Sequence, residues 1–66
     1  MHIVVNGKPV ACEAETSLHA LILQLGFKPE AVVVERNGDL APREDFVRTR
    51  LEDGDKLELL HFVGGG

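Results

Sequence analysis

The C-terminal end of the sequence holds the residues whose types and spacing best suit chemistry. Gly64, Gly65 and Gly66 follow a largely apolar stretch over residues 57–63. Because glycine loses the most backbone freedom on ordering and adds no side chain to packing, such a run does little for stability. Three extended residues reach about 10 Å and end in a carboxylate. The run therefore predicts a narrow arm that enters another protein's active site, although a frayed terminus or an expression remnant gives the same pattern.

The size and charge of the chain limit the function classes that it can serve. With 66 residues it makes one small domain, in which a catalytic cleft with its own substrate pocket is hard to fit. We therefore expect a carrier, modifier or binding module and not an enzyme. The net charge of −4 disfavours nucleic acid and membrane surfaces as partners, because proteins that bind either one carry basic patches.

The residues that bind metals are few and poorly spaced. The single cysteine, Cys12, excludes an internal disulfide and any four-cysteine metal or iron–sulfur site. The three histidines, His2, His19 and His61, lack metal-ligand spacing, so we expect no metal site. No apolar run approaches the ~20 residues of a membrane span. Together these features indicate a reducing, cytoplasmic setting.

The spacing of apolar residues predicts one helix, and two Asn-Gly dipeptides predict two β-hairpins. The helical stripe, at i, i+3, i+4 and i+7, consists of Leu18, Leu21, Ile22 and Leu25. Thr16 or Ser17 is the candidate N-cap of this helix, and Gly26 is its C-terminal stop. Asn6-Gly7 and Asn37-Gly38 supply the two residues with positive φ that a type I′ turn needs.

The order of the predicted elements indicates a β-grasp fold. In chain order they are a hairpin over residues 2–6 and 8–13, the helix, a hairpin over residues 31–36 and 39–41, a proline-led helical turn over residues 42–46 and a closing strand over residues 56–63. One helix laid across one face of a sheet buries a single apolar stripe. We therefore predict an α+β, ubiquitin-like β-grasp with a four- to five-stranded mixed sheet. Its first and last strands are expected to be parallel neighbours in the middle. Residues 1–63 form the predicted domain, and residues 64–66 form a flexible C-terminal glycine tail.

The alternation of the closing strand predicts an apolar patch on the open face of the sheet. If Leu57 and Leu59 pack under the helix, the residues between them point away from it. By the same parity the open face carries the apolar side chains of Leu60, Phe62, Val33 and Val4. A contiguous exposed apolar patch usually marks an interaction site. We therefore predict a partner-docking surface here, the alternative being that these side chains merely cover the sheet.

Several segments in a fixed order carry a resemblance to a known family. They are Ile3-Val4-Val5-Asn6-Gly7, Thr16 to Leu21, Val34 to Gly38 with Pro42-Arg43 after it, and Asp53-Gly54-Asp55 running to Phe62-Val63-Gly64-Gly65-Gly66. Over essentially its whole length the sequence resembles the ThiS-like, ubiquitin-like sulfur carriers of thiamine biosynthesis. The resemblance implies a protein cosubstrate that binds no cofactor of its own.

The resemblance also implies the chemistry of the tail. A terminal carboxylate is ionised at neutral pH and is a poor electrophile, so it needs activation before sulfur is attached. In such carriers an E1-like adenylyltransferase uses ATP and Mg²⁺ to adenylate the residue corresponding to Gly66. A persulfide sulfur donor of the cysteine desulfurase type then gives a thiocarboxylate, which donates sulfur to thiazole synthase. Gly64 and Gly65, which have no Cβ, are expected to thread the partner's narrow channel.

The same resemblance assigns roles to the predicted surface and leaves alternatives open. The docking residues are expected to be Leu60, Phe62, Val33 and Val4, with Arg43 as a possible polar contact. One alternative is the molybdopterin-synthase type of sulfur carrier, whose members are usually longer. Another is a ubiquitin-like modifier conjugated to target proteins through Gly66. A third is a β-grasp interaction domain without tail chemistry.

Overall fold

A five-stranded mixed sheet and one α-helix form the framework of the protein. The computed structural model describes residues 1–62. Its strands are β1 (His2–Val5), β2 (Lys8–Ala11), β3 (Val32–Arg36), β4 (Asp39–Ala41) and β5 (Lys56–His61), and its helix is α1 (Leu18–Gln24). Two short 3₁₀ turns, Pro29–Ala31 and Arg43–Asp45, precede β3 and follow β4. The predicted α+β β-grasp is confirmed, with five strands.

The strand order places the first and last strands side by side in the centre of the sheet. The order is β2-β1-β5-β3-β4, and β1 pairs with β5 in parallel, as the sequence predicts. The β1–β2, β3–β4 and β3–β5 pairs are antiparallel. The register aligns Val5 with Leu57 and Val33 with Leu60. β5 is therefore the central strand that carries the chain toward residues 63–66.

Both predicted Asn-Gly turns are present, and their asparagines also brace β5. Asn6 and Gly7 have φ values of 50° and 83°, as a type I′ turn requires. The Asn6 side chain donates to the Leu59 carbonyl oxygen (3.0 Å) and accepts from the Leu59 N–H (2.7 Å). At the other turn, Asn37 accepts from the Lys56 N–H through its side-chain oxygen (2.9 Å). The two hairpins therefore hold β5 through side chains as well as through the sheet.

The helix packs its apolar stripe onto one face of the sheet. Ser17 is the N-cap, because its Oγ accepts from the Ala20 N–H at 3.0 Å. The fully buried core side chains are those of Leu18, Leu21, Ile22, Ile3, Val32, Val34, Phe46 and Leu57. Leu25, predicted to complete the stripe, is the half-buried C-cap, and Gly26 follows it at φ 88°.

Several predicted boundaries differ from the observed ones by one or two residues. β1 ends at Val5 and not at residue 6, and β3 begins at Val32 and not at residue 31. β2 ends at Ala11 and not at residue 13, because a turn begins at Glu13. The carbonyl oxygen of Glu13 accepts a hydrogen bond from the Thr16 N–H. Pro42 is the N-cap of its 3₁₀ turn and not the first helical residue. β5 ends at His61, and the predicted last strand residue, Val63, lies outside the described residues. The predicted boundary between domain and tail lies outside them too.

Candidate functional site

The open face of the sheet, opposite the helix, carries an exposed apolar patch centred on β3 and β5. Leu57 and Leu59 are buried beneath α1, whereas Leu60, between them and the chain end, is 61% exposed. Val33 lies directly opposite Leu60 in the β3–β5 register and is half-buried. Strand alternation therefore separates a core side and an open side as predicted.

Two glutamates lie beside this patch. A shallow depression on the open face is lined by Val33, Leu59 and Leu60 together with Glu35 and Glu58. The two carboxylate residues are directly opposite each other in the β3–β5 register and both are exposed. Within residues 1–62 neither forms an ion pair. The surface therefore combines apolar contact area with two exposed carboxylates, and Lys56 lies near them on the same face.

The structure adds one residue to the predicted patch and separates another from it. Leu40 is 65% exposed and pairs with Glu35, on the same face as Val33. The Asn37-Gly38 turn fixes this register by pairing Arg36 with Asp39 and Glu35 with Leu40. Pairing the residues outward from this predicted turn would therefore have placed Leu40 on the open face. Val4 shares the face but pairs with Lys56, four residues and about 13 Å along β5 from Leu60.

Phe62 directly follows β5 and is the last residue that the structure describes. Phe62 is exposed, and its N–H donates to the Ala31 carbonyl oxygen at 2.9 Å. The ring of His61, the preceding residue, lies 4.5 Å from the ring of Phe27 between centroids. Gly64, Gly65 and Gly66, the predicted reactive tail, fall outside the described residues.

Arg43, predicted to contact a partner, makes contacts within the chain. Its Nε donates to the Pro29 carbonyl oxygen at 3.2 Å and its Nη2 donates to the Val32 carbonyl oxygen at 3.0 Å. The guanidinium thereby joins the second 3₁₀ turn to the segment that begins β3. A contact between Arg43 and a partner stays a prediction.

Asp55 is the one buried charged side chain among the described residues, being 7% exposed. Its carboxylate accepts from Arg36 Nε (2.9 Å), the Glu52 N–H (2.8 Å) and Asn37 Nδ2 (3.0 Å). Burial raises the pKa of Asp55, but the hydrogen bonds from Glu52, Asn37 and Arg36 and the charge of Arg36 outweigh it and hold the pKa below the ordinary value of 3.8. These contacts fix the start of β5.

Metal binding and membrane crossing find no support in the part of the chain that the structure describes. Across residues 1–62, no three His, Cys, Asp or Glu side chains are grouped in a way that could hold a metal ion. Over the same residues, no helix combines the length and hydropathy of a membrane span. What the described surface offers is an exposed apolar face that also carries two exposed glutamates, Glu35 and Glu58.

Comparisons with known proteins agree with this geometry. The model of the ThiS family matches residues 3–66. The sulfur carrier protein ThiS of Bacillus subtilis is 36% identical over 62 residues, which cover 92% of this chain and 94% of that protein. A crystal structure of the thiamine biosynthesis protein (ThiS) from Geobacter metallireducens superimposes with a TM-score of 0.83 at 39% identity, covering 100% of both chains.

A second kind of relative is much longer. A thiazole synthase of Magnetococcus marinus is 44% identical over 66 residues, which are 100% of this chain and 20% of that protein. A thiazole synthase of Paramagnetospirillum magneticum is 38% identical over the same length, again 20% of its own. The chain thus spans about a fifth of these relatives.

Proposed function

The chain belongs to the ThiS family, and we propose that it is a sulfur carrier for thiamine (thiazole) biosynthesis whose Gly66 carboxylate is converted to a thiocarboxylate. The observation that carries this proposal is that the family match extends through the glycines to residue 66. A small β-grasp domain with an exposed apolar face suits a protein that is itself the substrate of larger enzymes. In this role the chain is a cosubstrate and supplies no active site.

The proposed chemistry proceeds in three steps that start from the Gly66 carboxylate. An E1-like adenylyltransferase, with ATP and Mg²⁺, joins a carboxylate oxygen to the α-phosphorus while pyrophosphate leaves. The terminal sulfur of a persulfide donor then attacks the acyl carbon, and AMP leaves. A thiol then attacks the sulfur that belongs to the donor and breaks the sulfur–sulfur bond. The donor and the thiol are left joined by a disulfide, and the transferred sulfur stays on Gly66 as a thiocarboxylate. The thiocarboxylate is a better nucleophile than the original carboxylate.

Thiazole synthase is the proposed acceptor of this sulfur. Two relatives that match the whole of this chain bear the name thiazole synthase and are about five times as long. A segment like this chain therefore occurs in proteins of that name. This supports a pairing of the carrier with thiazole synthase.

The open face is the proposed docking surface for both enzymes. Leu60 and Val33 form its centre, and Leu40 and Phe62 extend it with further exposed apolar area. Val4 lies farther along the face and is expected to contribute at its edge. Apolar anchors at the centre of an interface typically carry most of the binding energy.

Removal of Gly65 and Gly66 tests the proposed function. The truncated chain should lose all sulfur transfer to thiazole synthase, because its terminal carboxylate, now on Gly64, ends two residues short of the reactive position. Its free energy of unfolding in urea should match that of the full chain, because the core lies within residues 3–59. Retained activity would favour a plain interaction domain. Full-length chain found joined to lysines of other proteins through Gly66 would favour a modifier.

A further inference from the structure

The last main-chain hydrogen bond among residues 1–62 ties the end of β5 to the segment before β3. The Phe62 N–H donates to the Ala31 carbonyl oxygen at 2.9 Å, one residue beyond the β3–β5 register pair of Val32 and His61. Only residues 63–66 separate this bond from the carboxylate of the proposed reaction. The position of Ala31 therefore sets where the tail begins.

Arg43 contacts the segment that contains Ala31 both before and after Ala31 in the chain. Its guanidinium donates to the carbonyl oxygens of Pro29 and Val32, which flank Ala31 in the chain. These carbonyls belong to a 3₁₀ turn and a strand end, where main-chain pairing is incomplete. Two donors in a planar fork fix two carbonyls at once, which a single ammonium does less well.

A second contact restrains the same point from the helix side of the sheet. The rings of Phe27 and His61 lie 4.5 Å apart with an interplanar angle of 35°. His61 immediately precedes Phe62, so the end of β5 is held both by an aromatic contact and by the main-chain hydrogen bond to Ala31. Two contacts thus restrain the chain at His61 and Phe62, the last residues that the structure describes.

We propose that Arg43 is a positioning residue for the C-terminal tail: by fixing Pro29 and Val32 it holds the Ala31 carbonyl that anchors Phe62. This inference rests on the proposed function, in which Gly66 must reach the activating enzyme's site. Fixing the position of Phe62 raises the fraction of docked carriers whose Gly66 carboxylate is in place to react. Arg43 thereby acts through the chain itself and needs no contact with a partner.

The test compares Arg43→Gln and Arg43→Lys with a matched control, Arg48→Gln. Arg48 follows the same 3₁₀ turn but pairs with Asp45 at 2.6 Å, away from the Pro29–Val32 segment. Hydrogen exchange of the Phe62 amide measures the strength of its hydrogen bond to the Ala31 carbonyl oxygen. The amide of Leu21, a buried residue of α1, is the reference. We expect Arg43→Gln to lower protection at Phe62 about three- to tenfold and to leave Leu21 unchanged, with Arg43→Lys intermediate.

Adenylation kinetics with the activating enzyme provide the second readout. We expect Arg43→Gln to lower kcat about three- to tenfold with little change in KM for the carrier, and Arg48→Gln to behave as wild type. An unchanged Phe62 amide together with a raised KM would overturn the inference and favour a docking role for Arg43. Equal kinetics for wild type and Arg43→Gln would also overturn it. Failure of the wild-type chain to be adenylated at all would instead contradict the proposed function.

Discussion

At the scale of single residues, Asp55 shows how one carboxylate organises a turn that the sequence presents only as Asp-Gly-Asp. Its three donors come from Glu52, Arg36 and Asn37, so it joins the turn before β5 to the end of the β3–β4 hairpin. The sequence predicts the turn from Asp53-Gly54. It does not predict the buried carboxylate, because the donors Arg36 and Asn37 lie 19 and 18 residues away.

Asp55→Asn should lower the free energy of unfolding by about 1.5–3 kcal/mol, the range for hydrogen bonds to a charged group. The amide has no charge to meet Arg36 and brings N–H groups toward other donors. Urea denaturation at neutral pH measures the change. Asp39→Asn, at an exposed site, should stay within about 0.5 kcal/mol of wild type. Equal effects of the two substitutions would contradict the role given to Asp55.

The difference in free energy of unfolding between wild type and Asp55→Asn should depend on pH, and the pKa of Asp55 gives the direction of this dependence. Because the pKa of Asp55 is lower in the folded state than its ordinary 3.8, the unfolded chain takes up a proton first as the solution is acidified. The contribution of Asp55 is therefore complete above pH 3.8 and is lost as pH falls through the folded value. The stability gap between wild type and Asp55→Asn should shrink below pH 4. A gap that stays constant from neutral pH into this range would show that ionisation of Asp55 plays no part.

At the scale of elements, the alternation along β5 predicts its two faces, and the register adds what alternation cannot. Parity places Leu60, Val33 and Val4 on one face, which the structure confirms. Parity does not give distances along the strands. It therefore groups Val4 with Leu60 and Val33, although the register places Val4 opposite Lys56, four residues from Leu60. Partner alignment between distant strands depends on the whole sheet, and this information is absent from any single segment.

The facing pair of Glu35 and Glu58 should cost stability, because like charges directly opposite on a sheet repel. Glu58→Gln should raise the free energy of unfolding by about 0.2–1 kcal/mol at low salt, and added salt should reduce the gain. Glu13→Gln, at an exposed residue outside the strands, is the control and should change little. If Glu58→Gln were no more stable than this control, the two carboxylates would not be in repulsive contact.

At the scale of the whole molecule, the open face proposed for docking and the helix lie on opposite sides of the sheet. This arrangement provides two exposed leucines for comparison, Leu60 on the open face (61% exposed) and Leu23 on α1 (54%). Leu60→Ala should raise KM for the carrier in adenylation about 5- to 30-fold, as expected for loss of a central apolar anchor. Leu23→Ala should leave KM near the wild-type value. Similar effects of both substitutions would place the docking surface elsewhere.

The overall architecture follows from the sequence more completely than the details of the site. Two Asn-Gly turns, one apolar helical stripe and an alternating last strand allow few arrangements other than a β-grasp, and the structure has that fold. The contacts of Arg43, Asn6 and Asp55 could not be predicted, because each joins segments that only the folded chain brings together. The glycine tail is read from sequence alone, and its chemistry calls for a direct test.

The most direct test of the carrier function is the intact mass of the protein. It is measured on protein isolated from its native host and again after incubation with ATP, Mg²⁺, the activating enzyme and a persulfide sulfur source. We predict a mass increase equal to the replacement of one oxygen by sulfur, located on Gly66 by fragmentation. An unchanged mass under conditions in which adenylation of the carrier is demonstrably occurring would contradict the account.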